Sequence, residues 1–131
     1  MLTENEFNDF VKINKLPNIL NKITIIDSDG NDIVSRPKGR TTFKVLMKYL
    51  SSKKNTDDYI GKKVYGHRWE KGKFESGGFK FNYIEELDMS FSQEDGINTL
   101  NGIKEICKSE KFTIEIKLVI DGSDYIYKEV Y

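Results

Sequence analysis

Three times along this chain, apolar residues spaced three and four apart give way to apolar residues at every second position. The first spacing makes one face of a helix and the second makes one face of a half-buried strand. That repeated change of period restricts the fold more than any other feature. It predicts the order helix, hairpin, helix, hairpin, helix, hairpin, an αββ rhythm without residue identity between the units.

In the first unit, Thr3 and Glu6 have the spacing of a capping box, and Leu2 and Phe7 that of a hydrophobic staple. Phe7, Phe10 and Val11 share a helical face, which Pro17 ends or restarts. Ile23 to Ile26 and Ile33 to Arg36 flank the run from Asp27 to Asp32, whose Asp, Ser, Gly and Asn residues form turns. In the second unit, Thr41 or Thr42 is expected to cap a helix carrying Phe43, Leu46, Met47 and Leu50. A polar loop should run from Ser51 to Gly61. The alternation from Lys63 to Glu70 predicts a strand with Tyr65, His67 and Trp69 on one face. After a glycine-containing turn, Phe79, Phe81, Tyr83, Leu87, Met89 and Phe91 occupy odd positions of one long strand, bulged or bent at Ile84 and Glu85. In the third unit, Ser92 with Asp95 is expected to cap a helix bearing Ile97, Leu100, Ile103 and Cys107. Phe112 to Ile120 alternates, residues 121–124 turn the chain, and Tyr125 to Tyr131 returns as a last strand. That strand is either internal or an edge open to a second copy. Sequential hairpins favour an antiparallel sheet with the helices on one face, so we expect a single α+β domain over residues 1–131.

Hydrophobic residues make up 37% of the 131, enough to bury a core. No apolar run approaches the roughly 20 residues that span a bilayer. The acidic, polar start from Met1 to Glu6 resembles neither a secretory nor a transit signal, so a cytoplasmic location is expected. The single cysteine, Cys107, excludes an intramolecular disulfide and a cysteine-built zinc site. The bias toward Lys, Asn and Ile is that of an AT-rich genome, such as a low-GC bacterium or its phage.

Charge is the strongest functional signal. The chain holds 21 basic and 21 acidic residues, yet residues 36–73 hold twelve basic against three acidic. The remainder has nine against eighteen, so the middle third is as positive as the rest is negative. Such polarisation fits either an anionic partner or internal neutralisation of the two blocks.

The segment from Arg36 to Thr42 leads into a predicted helix start, where free N–H groups and the helix dipole attract anions. It lacks the spacing of a triphosphate-binding loop. Arg36, Lys38, Arg40, Lys44, Lys48 and Arg68 are the candidate phosphate contacts, with Tyr65 and Trp69 as candidate stacking platforms, although strand aromatics are mostly core and burial is the stronger expectation for Trp69. The leading expectation is a small non-catalytic binding or inhibitor protein. Its partner would be nucleic acid, a nucleotide-like ligand or a nucleic-acid-binding protein, and a phage- or mobile-element-encoded anti-defence protein is one expected setting for such binding. The alternative is a protein–protein inhibitor or toxin-immunity protein acting through Glu85, Glu86, Asp88, Glu94 and Asp95. A third reading, an enzyme of nucleic-acid metabolism, would need His67 in a cleft facing other polar groups. Asp27, Asp29 and Asn31 open like a calcium loop, but Asp32 and Lys38 stand where glycine and glutamate are required, so no metal is expected. No cofactor is expected either.

Overall fold

Both periods are realised in the computed structural model, which describes residues 1–131. The elements are α1 (Glu4–Asn14), α2 (Leu16–Ile19), β1 (Leu20–Ile26), β2 (Asp32–Arg36), α3 (Gly39–Ser51), β3 (Lys63–Val64), β4 (His67–Lys71), β5 (Phe81–Ile84), β6 (Met89–Ser92), α4 (Gly96–Glu110), β7 (Thr113–Ile120) and β8 (Ser123–Val130). The fold is α+β with every strand pair antiparallel, as expected. The strands divide between two sheets, ordered β2-β1-β7-β8 and β3-β4-β6-β5.

The first sheet is built from the two hairpins that the sequence announces. Asp27 accepts the backbone N–H groups of Asp29 and Asn31, each at 2.9 Å, which closes the β1–β2 turn. Ile23 pairs with Ile116 and Ile25 with Ile114, so the alternation of both strands puts these side chains on one buried face. All four helices lie toward that face. On α1, secured by the reciprocal Thr3–Glu6 box, Phe7 stacks on Tyr127 at 4.4 Å. β8 is an edge strand, and the Leu2 N–H donates to the Ile126 carbonyl at 2.7 Å.

The second sheet arises where one strand was expected and a hairpin forms, twice. Tyr65 and Gly66 both take positive φ, 54° and 73°, the geometry of a two-residue hairpin turn, so Lys63 to Lys71 folds back as β3–β4. A 3-10 turn over Glu85–Leu87, with Asp88 left-handed, likewise reverses the chain between β5 and β6. Asn82 then faces Phe91 and Ile84 faces Met89. Odd positions of β6 point inward, whereas odd positions of β5 point outward. Phe81 and Tyr83 therefore leave the core that Met89 and Phe91 enter.

Helices α3 and α4 form the middle layer. Phe43 of α3 stacks on His67 at 4.3 Å and meets Phe91 at 5.0 Å in the second sheet, while the same helix packs on β2 of the first. Twenty-three buried apolar residues form one continuous core. Cys107 belongs to it, and burial pushes its thiol up to about 12, far from reactive thiolate chemistry. No helix is long and apolar enough to cross a membrane.

Candidate functional site

The start of α3 gathers the cations that the sequence singles out. Pro37 follows β2, Lys38 is extended (φ −121°, ψ 143°), and the helix begins at Gly39. This is earlier than the expected caps: Thr41 and Thr42 lie inside the first turn and donate back to the Lys38 carbonyl at 3.0 and 2.8 Å. No side chain caps the helix start and no acid occupies its first turn, so its N–H groups and dipole remain uncompensated. Gly39 sits against α4 so closely that a Cβ would lie 3.3 Å from the Thr99 methyl. That contact sets the floor of a cleft of about 550 Å³ between α2 and the starts of α3 and α4, with Lys38, Arg40, Thr41 and Glu94 at its walls.

The basic block is exposed and only partly neutralised. Ten of its twelve cations are exposed and two, Lys44 and Lys48, are half-buried. Lys48, Lys54, Arg68 and Lys71 pair with Glu86, Glu110, Glu70 and Asp88. Arg36, Lys38, Arg40 and Lys44 form no ion pair. Four of the five cations proposed at this helix thus remain free, and Lys48, at 3.0 Å from Glu86, is engaged.

The aromatic half of the sequence-derived site needs correction. Trp69 has no exposed surface; its indole N–H donates to the Val64 carbonyl at 3.0 Å and its ring packs on Phe91. A ring closed on both faces cannot receive a base. Tyr65 is half-buried, edge-on to Tyr59 at 5.7 Å, and burial raises its phenol pKa well above the usual range. Arg68 lies on the other side of the second sheet from Phe43 and α3, on the outer face.

His67 is equally a core residue, with no exposed surface. Its Nδ1–H donates to the Tyr65 carbonyl at 2.7 Å, which leaves Nε2 as an unpartnered acceptor in the neutral tautomer. Burial lowers its pKa, and it lines none of the three cavities described here. The cleft that the enzyme reading requires is not around this histidine.

The acidic candidates do not form one surface. Glu86 and Asp88 pair with Lys48 and Lys71, and Asp88 also accepts the Tyr83 hydroxyl at 2.7 Å. These interactions hold both carboxyls below the usual range: backbone and Lys48 hydrogen bonds for Glu86, the Tyr83 hydroxyl first for Asp88. Glu85 stands exposed beside them. Glu94 and Asp95 sit at the opposite end of β6, where Asp95 caps α4 through the Asn98 N–H at 2.7 Å. Ser92, expected to join that cap, instead ends β6 and accepts the Arg68 N–H at 2.9 Å.

Sequence reasoning missed the outer face of the second sheet. Phe81, Tyr83 and Arg68 point outward there, and the loop of residues 72–80 folds over the face, held by Ser90, which bridges Gly72 and Phe74. The Arg68 guanidinium lies over Phe74 and Phe81 at 5.4 and 5.7 Å, and Lys73 lies over Tyr83 at 5.7 Å. Phe79, beyond Gly77 and Gly78, is 73% exposed. Two depressions of about 750 and 250 Å³ mark this face. The signal in the sequence is the break in alternation at Ile84 and Glu85, which the structure resolves as a full reversal of the chain.

Compared with protein-family models, curated proteins and solved structures, the chain matches none.

Proposed function

We propose that this protein is a binding protein for an anionic partner, which it holds at the start of α3. One observation carries the reading: Lys38 and Arg40 line the cleft at an uncapped helix start, Arg36 precedes them and Lys44 follows one turn on, and none of the four forms an ion pair. Exposed cations and the helix dipole act on the same volume, and both favour negative charge. Lys44, one turn further along the helix, extends the positive potential away from the cleft mouth.

The test is fluorescence anisotropy with labelled single- and double-stranded DNA and RNA and with inorganic polyphosphate, at low and near-physiological salt. The expected result is saturable binding that weakens as salt rises, because bound cations displace condensed counterions. Reversal of Arg36, Arg40 and Lys44 to glutamate should abolish it. Binding that survives this triple reversal, or no binding to any polyanion at low salt, would overturn the reading.

A further inference from the structure

We infer that the partner is single-stranded nucleic acid, laid along a track that runs from the α3 cleft onto the aromatic outer face of the second sheet. This rests on the anionic-partner reading and names the ligand class. Three features of the molecule support it.

Neighbouring cavities share lining residues. The α3 cleft and the 250 Å³ depression share Glu94, and that depression shares Phe79, Lys80, Phe81 and Gln93 with the 750 Å³ one. A mononucleotide would fill one of them; a chain is needed to occupy all three. The charge is also concentrated along this path. The three linings together contain six cations, Lys38, Arg40, Lys63, Arg68, Lys73 and Lys80, of which Arg68 is paired with Glu70, against two carboxylates, Glu75 and Glu94. The whole chain is formally neutral, so this excess is a property of the track.

The rings complete the argument. The outer face of the first sheet mixes Thr24, Ser35, Glu115 and Lys117 with aliphatic Ile26, Val119, Ile126 and Val130 and carries no aromatic ring on β1, β2 or β7. The corresponding face of the second sheet carries Phe81 and Tyr83 two residues apart on β5, with Phe79 projecting beside them. Phe81 is packed edge-on by Phe74 at 4.7 Å with the Arg68 guanidinium over it, so Tyr83 and the exposed Phe79 are the rings that would meet bases. Gly78 takes φ 91°, a conformation that side chains strain to adopt, and this turn presents Phe79 to solvent. Rings flanked by cations bind bases by stacking and the backbone by charge, without regard to sequence. Paired bases have no free faces for such rings, which is why the track selects a single strand over a duplex.

The experiment compares a labelled single-stranded DNA and its RNA counterpart, the DNA duplex of equal length, and polyphosphate, on the wild-type protein and on Phe79→Ala and Tyr83→Ala. Phe79 is 73% exposed, so its replacement should leave the fold intact. The expected result is tighter binding of single strands than of duplex or polyphosphate. Loss of one stacking ring should weaken single-strand binding by roughly five- to 150-fold and leave polyphosphate binding unchanged. If both aromatic variants bind single strands as well as wild type, or if duplex and polyphosphate bind as tightly as single strands, the inference fails while the anionic-partner reading stands. If no polyanion binds, both fail, and a protein becomes the occupant of this face.

Discussion

Replacing Gly102 with alanine sets helix propensity against packing, and the structure determines the sign. Gly102 lies inside α4, where alanine is intrinsically better by about 1 kcal/mol. Its Cβ, however, would fall well inside 3.0 Å of the Tyr65 carbonyl oxygen and 3.2 Å from His67 Cε1. That oxygen cannot retreat cheaply. It belongs to the tight turn between β3 and β4 and accepts the His67 Nδ1–H, in a ring already stacked on Phe43. Overpacking costs about 2 kcal/mol, and disturbing the buried hydrogen bond costs about 1 more. The net loss is about 2 kcal/mol once the propensity gain is subtracted. With an unfolding entropy of about 2.1 cal/mol/K per residue, this lowers Tm by about 7 °C in a chain of this length. Thermal and urea unfolding followed by circular dichroism would measure it. Asn101→Ala, on the exposed side of the same helix, serves as the control and should raise stability by a few tenths of a kcal/mol, about the propensity difference alone. A Gly102→Ala protein as stable as wild type would refute the claim that α4 is seated directly on the Tyr65–Gly66 turn.

The buried His67 predicts a loss of stability in mild acid. Its folded pKa lies below the ordinary value near 6.5, so the unfolded chain binds the extra proton and stability falls as pH drops from about 6.5 toward the folded pKa, by up to about 1.4 kcal/mol per pH unit. Urea midpoints at pH 7.5 and 5.5 should differ accordingly, and a flat profile would contradict a neutral core histidine. Thr3→Ala removes half of the capping box and should cost about 1 kcal/mol in the same unfolding assay. Arg68 is held by Glu70, so if the other five track cations meet phosphates, the logarithm of single-strand affinity should fall against that of salt with a slope of about −3.5, made shallower by about 0.7 for each of them replaced. Glu94 joins two of the cavities, so Glu94→Gln should tighten polyanion binding; unchanged affinity would place the ligand elsewhere. The only tryptophan, Trp69, should resist iodide quenching equally with and without ligand.

The first helix and the β1–β2 and β7–β8 hairpins were legible in the sequence because local interactions specify them. The Thr3–Glu6 box spans three residues, Asp27 closes its own turn, and the period of Phe112 to Ile120 allows one buried face. The middle of the chain was not legible, since alternation alone does not distinguish one long strand from two short ones folded back. Tyrosine at positive φ in a hairpin turn leaves no compositional mark, and the reversal after Ile84 exchanges which parity faces the core. That reversal turns Phe81 and Tyr83, expected to share a strand face with Met89 and Phe91, outward. The sequence by itself determined the α+β class, the order of the outer elements and the excess of positive charge between residues 36 and 73. Only the tertiary structure decided which of those charges are free. Lys48 and Lys54 meet carboxylates 38 and 56 positions away, whereas the cations at the start of α3 meet none, and ion pairing depends on distance in space, which the spacing of residues along a chain does not fix.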